Sequence, residues 1–141
     1  MKMAQTFNIV QGKGVMDWIV EATNAEFSPK AQGIGLLKDG ELVAGAAYDG
    51  WTGPNIFVHQ RIIGKPTRAY WKAVFDYPFN GLGCTRLTGT VDASNKEAIK
   101  LNEHLGFKEE GRLKDAAFDG GDVIVHVLWK ADCKILDWKL K

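Results

Sequence analysis

Three histidines, His59, His104 and His126, are the only side chains of this 141-residue sequence that ordinarily titrate near neutral pH. Each stands in a different setting. His59 lies towards the end of the strand-like run "NIFVHQ", where an imidazole could take a proton from a substrate. His104 falls on the exposed turn of a helical stretch, which suits a surface role or pairing with the helix C-terminal dipole. His126 alternates within "VIVHVLW", and a structural hydrogen bond is the expected reading there. The two cysteines, Cys84 and Cys133, lack C-x-x-C spacing and are too few for a disulfide framework or a thiolate metal site. They read as reduced thiols, and no metal is expected. Glu109 and Glu110 are adjacent on a predicted strand, so they point to opposite faces and cannot share one proton as a catalytic pair.

Bulk properties narrow the function classes. Hydrophobic residues make up 45% and charged residues 25%, which suits a water-soluble domain. The length predicts one domain, 1–141. With 18 basic and 17 acidic residues the net charge is +1, so overall charge favours neither nucleic acid nor an acidic membrane surface. A nucleic-acid partner would need a local basic patch, for which Lys65, Arg68 and Lys72 are the candidates. No apolar run approaches a membrane span, and "MKMAQTFNIVQG" lacks the apolar centre of a signal peptide. A cytoplasmic protein is the expectation.

The elements that must position these groups follow from periodicity. "TFNIVQG" predicts a first strand. "GVMDWIVEATNAEF" puts Val15, Trp18, Ile19 and Ala22 at helical spacing. "GIGLLKDGELVAGAAYDG" is two apolar runs joined at Asp39-Gly40, a hairpin signal. "NIFVHQ" predicts a further strand. "PTRAYWKAVFDY" predicts a helix with Pro66 at its first position, ending before Pro78. "CTRLTGTVD" is strand-rich. In "SNKEAIKLNEHLGFKEEGR", Ser94 and Glu97 have capping-box spacing. Ala98, Leu101 and Leu105 form the buried stripe with Ile99 on its flank, and Gly106 stands where a left-handed cap is wanted, with Phe107 packing back. Two strands joined through "DGGD" complete the order β-α-β-β-β-α-β-α-β-β, a mixed α/β sheet.

That order, with a helix ending in L-G-F before a strand, resembles the GNAT superfamily of acyl-CoA-dependent N-acetyltransferases. "DASNKEAIKLNEHLGFKEEGRLKDA" is similar to the family's fourth-helix motif, V-x-x-x-N-x-x-A-x-x-L-x-x-x-L-G-F-x-x-E-G. It matches at Asn95, Ala98, Leu101, Leu105, Gly106, Phe107, Glu110 and Gly111. "AVFDYPFNGLGCTRLTGTVD" resembles the segment preceding that motif in the branch acetylating ribosomal proteins. "YPFNGLGCTRL", "LGFKEEGRLKDA" and "DGGD" together resemble small GNAT-like proteins of bacterial viruses and prophages.

The resemblance implies an acetyl-CoA cofactor and an amine acceptor, either a small molecule or a protein amino group, in a monomer or homodimer. It implies His59 as the catalytic base, on a fourth strand whose splayed end receives the thioester beside Val58. The family's cofactor signature is Q/R-x-x-G-x-G/A; "RIIGKP" supplies Arg61 and Gly64, but Pro66 replaces the last small residue and removes an amide donor. Lys65, Thr67 and Arg68 would compensate with side-chain contacts to the phosphates. Asn95 matches a position near the pantetheine arm, or serves as a helix-start residue. Asn102 replaces the tyrosine that protonates the departing thiolate in many members, and a carboxamide cannot donate that proton. Tyr48, Asp49 and Trp51 would shape the acceptor pocket or simply pack. "KILDWKLK" reads as a packing tail or an amphipathic partner segment. Two alternatives remain beside the enzyme: an acyl-CoA- or protein-binding module without turnover, and a virus-encoded enzyme modifying a nucleobase.

Overall fold

In the computed structural model, which describes residues 4–23 and 25–140, the elements follow the order expected from the sequence. They are β1 (Phe7–Gln11), α1 (Lys13–Val20), β2 (Gln32–Lys38), β3 (Glu41–Asp49), β4 (Asn55–Ile62), α2 (Arg68–Asp76), β5 (Arg86–Asp92), α3 (Lys96–Leu105), β6 (Lys108–Leu113) and β7 (Val123–Trp129). The strands form one 7-stranded mixed sheet in the order β1-β2-β3-β4-β5-β7-β6. Every neighbouring pair is antiparallel except β4–β5.

Local chemistry explains most of these boundaries. Asp39 (φ 51) and Gly40 (φ 86) both adopt positive φ, the two-residue turn whose twist matches a hairpin. Helix α1 lies close on the sheet because glycines face it. A Cβ on Gly35 would stand 2.9 Å from Val15 Cγ2, and one on Gly45 would stand 3.1 Å from Ile19 Cδ1. The helix is shorter than its apolar spacing suggested. Thr23 Oγ1 accepts from Ala25 N at 3.1 Å, a local bond that competes with helix continuation; Asn24 itself is outside the described residues.

Two start signals shift by a residue or more. Helix α2 is capped by Thr67, whose hydroxyl accepts from Tyr70 N at 3.1 Å, so Pro66 precedes the cap instead of opening the helix. After Asp76 the chain does not stop at Pro78 but winds into a wider turn, Tyr77–Gly81, closed by Leu82 N donating to Tyr77 O at 2.9 Å. The cap of α3 is Asn95, not Ser94. Asn95 Oδ1 accepts from Ala98 N at 3.2 Å. Ser94 Oγ instead donates to Asp119 Oδ2 at 2.7 Å, because the β6–β7 connection brings that carboxylate within reach.

The other end of α3 is as expected. Gly106 has φ 106, its N–H donates to Glu103 O at 3.1 Å, and Phe107 N donates to Asn102 O at 2.9 Å. Phe107 turns inward and joins a buried cluster containing Tyr48, Val58, Tyr70, Val74, Phe75, Leu87 and Leu128. A smaller cluster of Val15, Ile19 and Ala47 lies under α1, on the other face. The C-terminal segment packs: Ile135 is buried, Lys72 Nζ donates to Leu136 O at 2.9 Å, and the Arg68 guanidinium lies 4.0 Å over the Trp138 ring. No described helix is long and apolar enough to cross a membrane.

The left-handed turn at Gly106 has no room for a branched side chain, since a Cβ there would meet Leu128 Cδ1 at 3.2 Å. Gly106→Val should therefore cost on the order of 1–3 kcal/mol. Thermal melting checks this, and a variant as stable as wild type would show that the cap does not hold α3.

Candidate functional site

The parallel pairing of β4 with β5 covers only Asn55↔Arg86, Ile56↔Leu87 and Phe57↔Thr88. Beyond it the strands diverge, although β4 runs on to Ile62 and β5 to Asp92. Between them opens a cleft of about 720 Å³. Its walls are Val58, His59, Gln60 and Ile62 from β4, and Gly89 to Asp92 from β5. Asn95, Ala98, Leu101 and Asn102 of α3 and Phe107 close one side, with Thr23, Ala25 and Phe118 reaching in from connections. The apex is tight. A Cβ on Gly89 would stand 3.7 Å from Val58 O and 3.8 Å from Phe107 Cε1.

Strand alternation sends the β4 side chains to two destinations. Val58 faces the larger cluster, with Gln60 and Ile62 following on the same side. His59 faces the α1 side, where its ring meets Phe27 edge-on at 6.0 Å between centroids. Burial pushes the His59 pKa below its ordinary value of 6.5. The ring is therefore neutral at neutral pH and able to accept a proton. Gln60 was not singled out by the sequence. Its Oε1 is buried without a hydrogen-bond partner among the described residues, and the residue lines the cleft. A polar residue on the face of β4 that otherwise carries Ile56, Val58 and Ile62 was the available signal.

Of the residues expected to hold a cofactor, the cleft brings together Val58, Asn95 and Asn102. The others lie elsewhere. Arg61 is held under α1: Nη1 donates to Trp18 O at 2.7 Å, and the guanidinium stacks 4.2 Å over the Trp18 ring. The amides of Ile63 and Gly64 both donate to Val43 O, at 2.8 and 3.1 Å, so that stretch of backbone is already bonded within the protein. Thr67 caps α2, Arg68 covers Trp138, and Lys65 is exposed. With Tyr70 N on the Thr67 hydroxyl and Trp71 N on Thr67 O, the amides of Arg68 and Ala69 remain as donors at the start of α2, beside Lys65.

Tyr48 is fully buried and its hydroxyl donates to Val74 O, so it belongs to the core and not to a pocket. Asp49 accepts from the Ser28 hydroxyl at 2.6 Å and the Ser28 amide at 2.7 Å, which holds its carboxyl below the usual range and fixes the connection leading to Phe27. Trp51 is 57% exposed. Glu109 and Glu110 are separated by chemistry as well as by direction. Glu109 pairs with Arg112 at 3.1 Å and Glu110 with Arg86 at 2.7 Å, and the strand bulges between Glu109 and Gly111. His104 is exposed in the last turn of α3. His126 is only 1% exposed, and its Nδ1 meets Asn102 Nδ2 at 3.1 Å.

The fold has clear parallels among solved structures. Mutant forms of the spermidine/spermine N-acetyltransferase SpeG from Vibrio cholerae superpose with a TM-score of 0.73 at 17% identity, over 94% of this chain and 98% of theirs. A dodecameric form of spermidine N-acetyltransferase from the same organism gives 0.72 at 16% identity, over 93% of this chain and 96% of that one. A ribosomal-protein alanine acetyltransferase from Vibrio fischeri gives 0.61 at 19% identity, over 74% of this chain and 64% of that one. The chain has the mixed α/β fold of the GNAT acetyltransferases. No family model matches the sequence, and no curated protein matches it significantly.

The environments of His59, in the cleft wall, and of His126, behind Asn102, have a consequence for stability. Burial lowers the pKa of His59 and of His126, the latter against the opposing pull of Glu103 and Glu109. The unfolded chain then binds protons more readily than the folded one, so this contribution is complete above about pH 6.5 and is lost as pH falls towards the folded values. Chemical denaturation at about pH 7.5 and 5.5 should show lower stability at the acid value, and a protein with both His59→Phe and His126→Asn should lose less between them. Equal wild-type stability at the two values would mean that the rings are not held neutral by burial.

Proposed function

We propose that this chain, acting as one catalytic domain, transfers an acetyl group from acetyl-CoA to an amine. The observation that carries the reading is the cleft where β4 and β5 part, in a sheet of GNAT fold. The residues present fit the cofactor. The free edge of β4 and the orphaned Gln60 Oε1 suit a flexible arm that carries amide donors. Asn95 and Asn102 line the α3 side of that arm's path. Past the Ile62 end, the side chains of Lys65 and Arg68 and the backbone amides of Arg68 and Ala69 supply positive charge and donors for phosphates. Thr67 serves by capping that helix, whereas Arg61 and Gly64 act in holding the fold.

When bound, acetyl-CoA supplies a thioester carbonyl open to nucleophiles. The protein's tasks are then to exclude water, to hold an amine against that carbonyl, and to take up a proton. Phe107 and Leu101 line the wall and keep the apex apolar. His59, neutral and on the α1 side, accepts the proton that the amine sheds. Holding the two reactants in line can itself lower the barrier by several kcal/mol, so the base assists a reaction already favoured by position. A polyamine and a protein amino group, the acceptors in the names of the similar structures, are both compatible with this entry side.

Titration calorimetry with acetyl-CoA, then thiol release against amines, peptides and nucleic acid, tests the reading. Binding followed by release with an amine is expected. Gly89→Val should close the apex and weaken acetyl-CoA binding by roughly tenfold or more while the protein still melts cooperatively. His59→Gln should lower the rate by about 10²–10⁴-fold with cofactor affinity unchanged, and should remove an acid limb lying below about pH 6.5. Binding without release to any acceptor would make the chain a binding module. No binding at all would remove the reading.

A further inference from the structure

His126 is the one buried histidine among the described residues, and the reaction above leaves it without a task. It lies on β7, 1% exposed, between the ring of Phe107, 6.5 Å away, and the side chain of Asn102. A carboxamide nitrogen can only donate, so the 3.1 Å contact from Asn102 Nδ2 makes Nδ1 of His126 the acceptor. The ring is then neutral with its proton on Nε2. Asn102 in turn is a wall residue of the β4–β5 cleft. One N–H of its amide is spent on His126, and the other N–H and Oδ1 stay available to whatever the cleft holds.

We propose that His126 is a positioning residue for the transfer reaction: by accepting from Asn102 Nδ2 it fixes the carboxamide so that its second N–H serves as a donor to the acyl donor's thioester. The inference rests on the acetyl-CoA reading given above. Its physical content is orientation. A free carboxamide can exchange its N–H and C=O ends by rotating half a turn, and the two ends offer opposite hydrogen bonds. The contact to a buried, neutral Nδ1 removes that choice. As the amine attacks the carbonyl carbon and the carbon–sulfur bond breaks, negative charge grows on oxygen and then on sulfur, and a fixed N–H favours that change. Asn102 transfers no proton. A thiol titrates near 8.5, so the sulfur can leave as the anion and take its proton from water, while the amine's proton goes to His59.

The same pairing makes the orientation depend on pH. A protonated His126 presents a donor to a donor, and Asn102 must turn its oxygen to the ring. The groups that bear on this titration are Glu103 of α3 and Glu109 of β6, both favouring the proton, against burial, which disfavours it. Glu109 is paired with Arg112 at 3.1 Å, which blunts its pull. On the β5 side the register neighbour is Gly89, which carries no charge.

The test uses His126→Asn, whose oxygen falls near the place of Nδ1 and cannot titrate, beside His126→Leu, which removes the acceptor. Nitrogen NMR of the free wild-type protein should show the neutral Nε2–H tautomer and a side-chain amide of Asn102 that shifts when acetyl-CoA is added. By steady-state kinetics, His126→Leu should lose roughly tenfold or more in kcat with a smaller change in KM, and His126→Asn should recover most of that loss. In an Asn102→Ala background, His126→Leu should cost nothing further. Acetyl-CoA affinity by calorimetry should fall roughly two- to tenfold below about pH 6.5 in wild type and stay level in His126→Asn. An active wild type with His126→Leu unchanged in kcat, KM and pH profile overturns the positioning role and leaves the acetyltransferase reading intact. So does a loss in His126→Leu that persists undiminished in the Asn102→Ala background. A wild type that neither binds acetyl-CoA nor releases thiol overturns the reading itself, and the proposed role falls with it.

Discussion

The constraint on which the site depends is the early end of one parallel pairing. Strands β4 and β5 share three register pairs and then part, although both continue as extended chain. A parallel pair needs a crossover helix, and α2 supplies it, so the strands come together only where α2 and its following turn set them down. Past Phe57 the inner edge of β4 has no strand partner. An edge in the middle of a sheet is an unusual expense, since unpaired backbone groups are costly once water is shut out. The gap it borders is a cleft of about 720 Å³. Gln60 repeats the message at side-chain level, with a buried acceptor that no described residue meets.

The α3 wall of this gap is set from the far end of the helix. Gly106 turns the chain left-handed, which returns Phe107 under the helix and ties its amide to the carbonyl of Asn102. Phe107 then touches three things at once: the Gly89 apex, Phe75 of the core and the ring of His126. One backbone conformation thereby fixes the depth of the cleft, the seat of the buried histidine and the turn of helix that carries Asn102. Local stability and site geometry are the same contacts seen twice.

How much of this was legible depends on how local the cause is. The element order, the Asp39-Gly40 hairpin and the Gly106 cap are decided by residues within a few positions of one another, and the sequence showed all of them. The α3 cap was misplaced by one residue because Ser94 and Asn95 are both capping types, and the choice was made by Asp119, 25 positions away. Arg61 and Gly64 have the spacing of a phosphate motif, yet Trp18 claims the guanidinium and Val43 claims the amide. Those partners lie on other elements, and spacing alone carries no trace of them. Asn102 and His126 are 24 residues apart and became a pair only when β7 came to lie beneath α3.

The half-buried His59 and the buried His126 show what the site asks of its surroundings. An imidazole kept neutral by burial gives up stability on the acid side, and the fold accepts this once in the cleft wall, at His59, and once behind it, at His126. At His59 the result is an imidazole neutral at neutral pH, set against Phe27 on the α1 side of the sheet. At His126 the neighbouring Glu103 and Glu109 would have favoured a charged ring, and burial prevails over them. A charged ring there would present its Nδ1 proton to Asn102, and the contact would have to reverse. The neutral state is thus the one compatible with the observed donor, and the apolar packing of Phe107 against the ring is what maintains it.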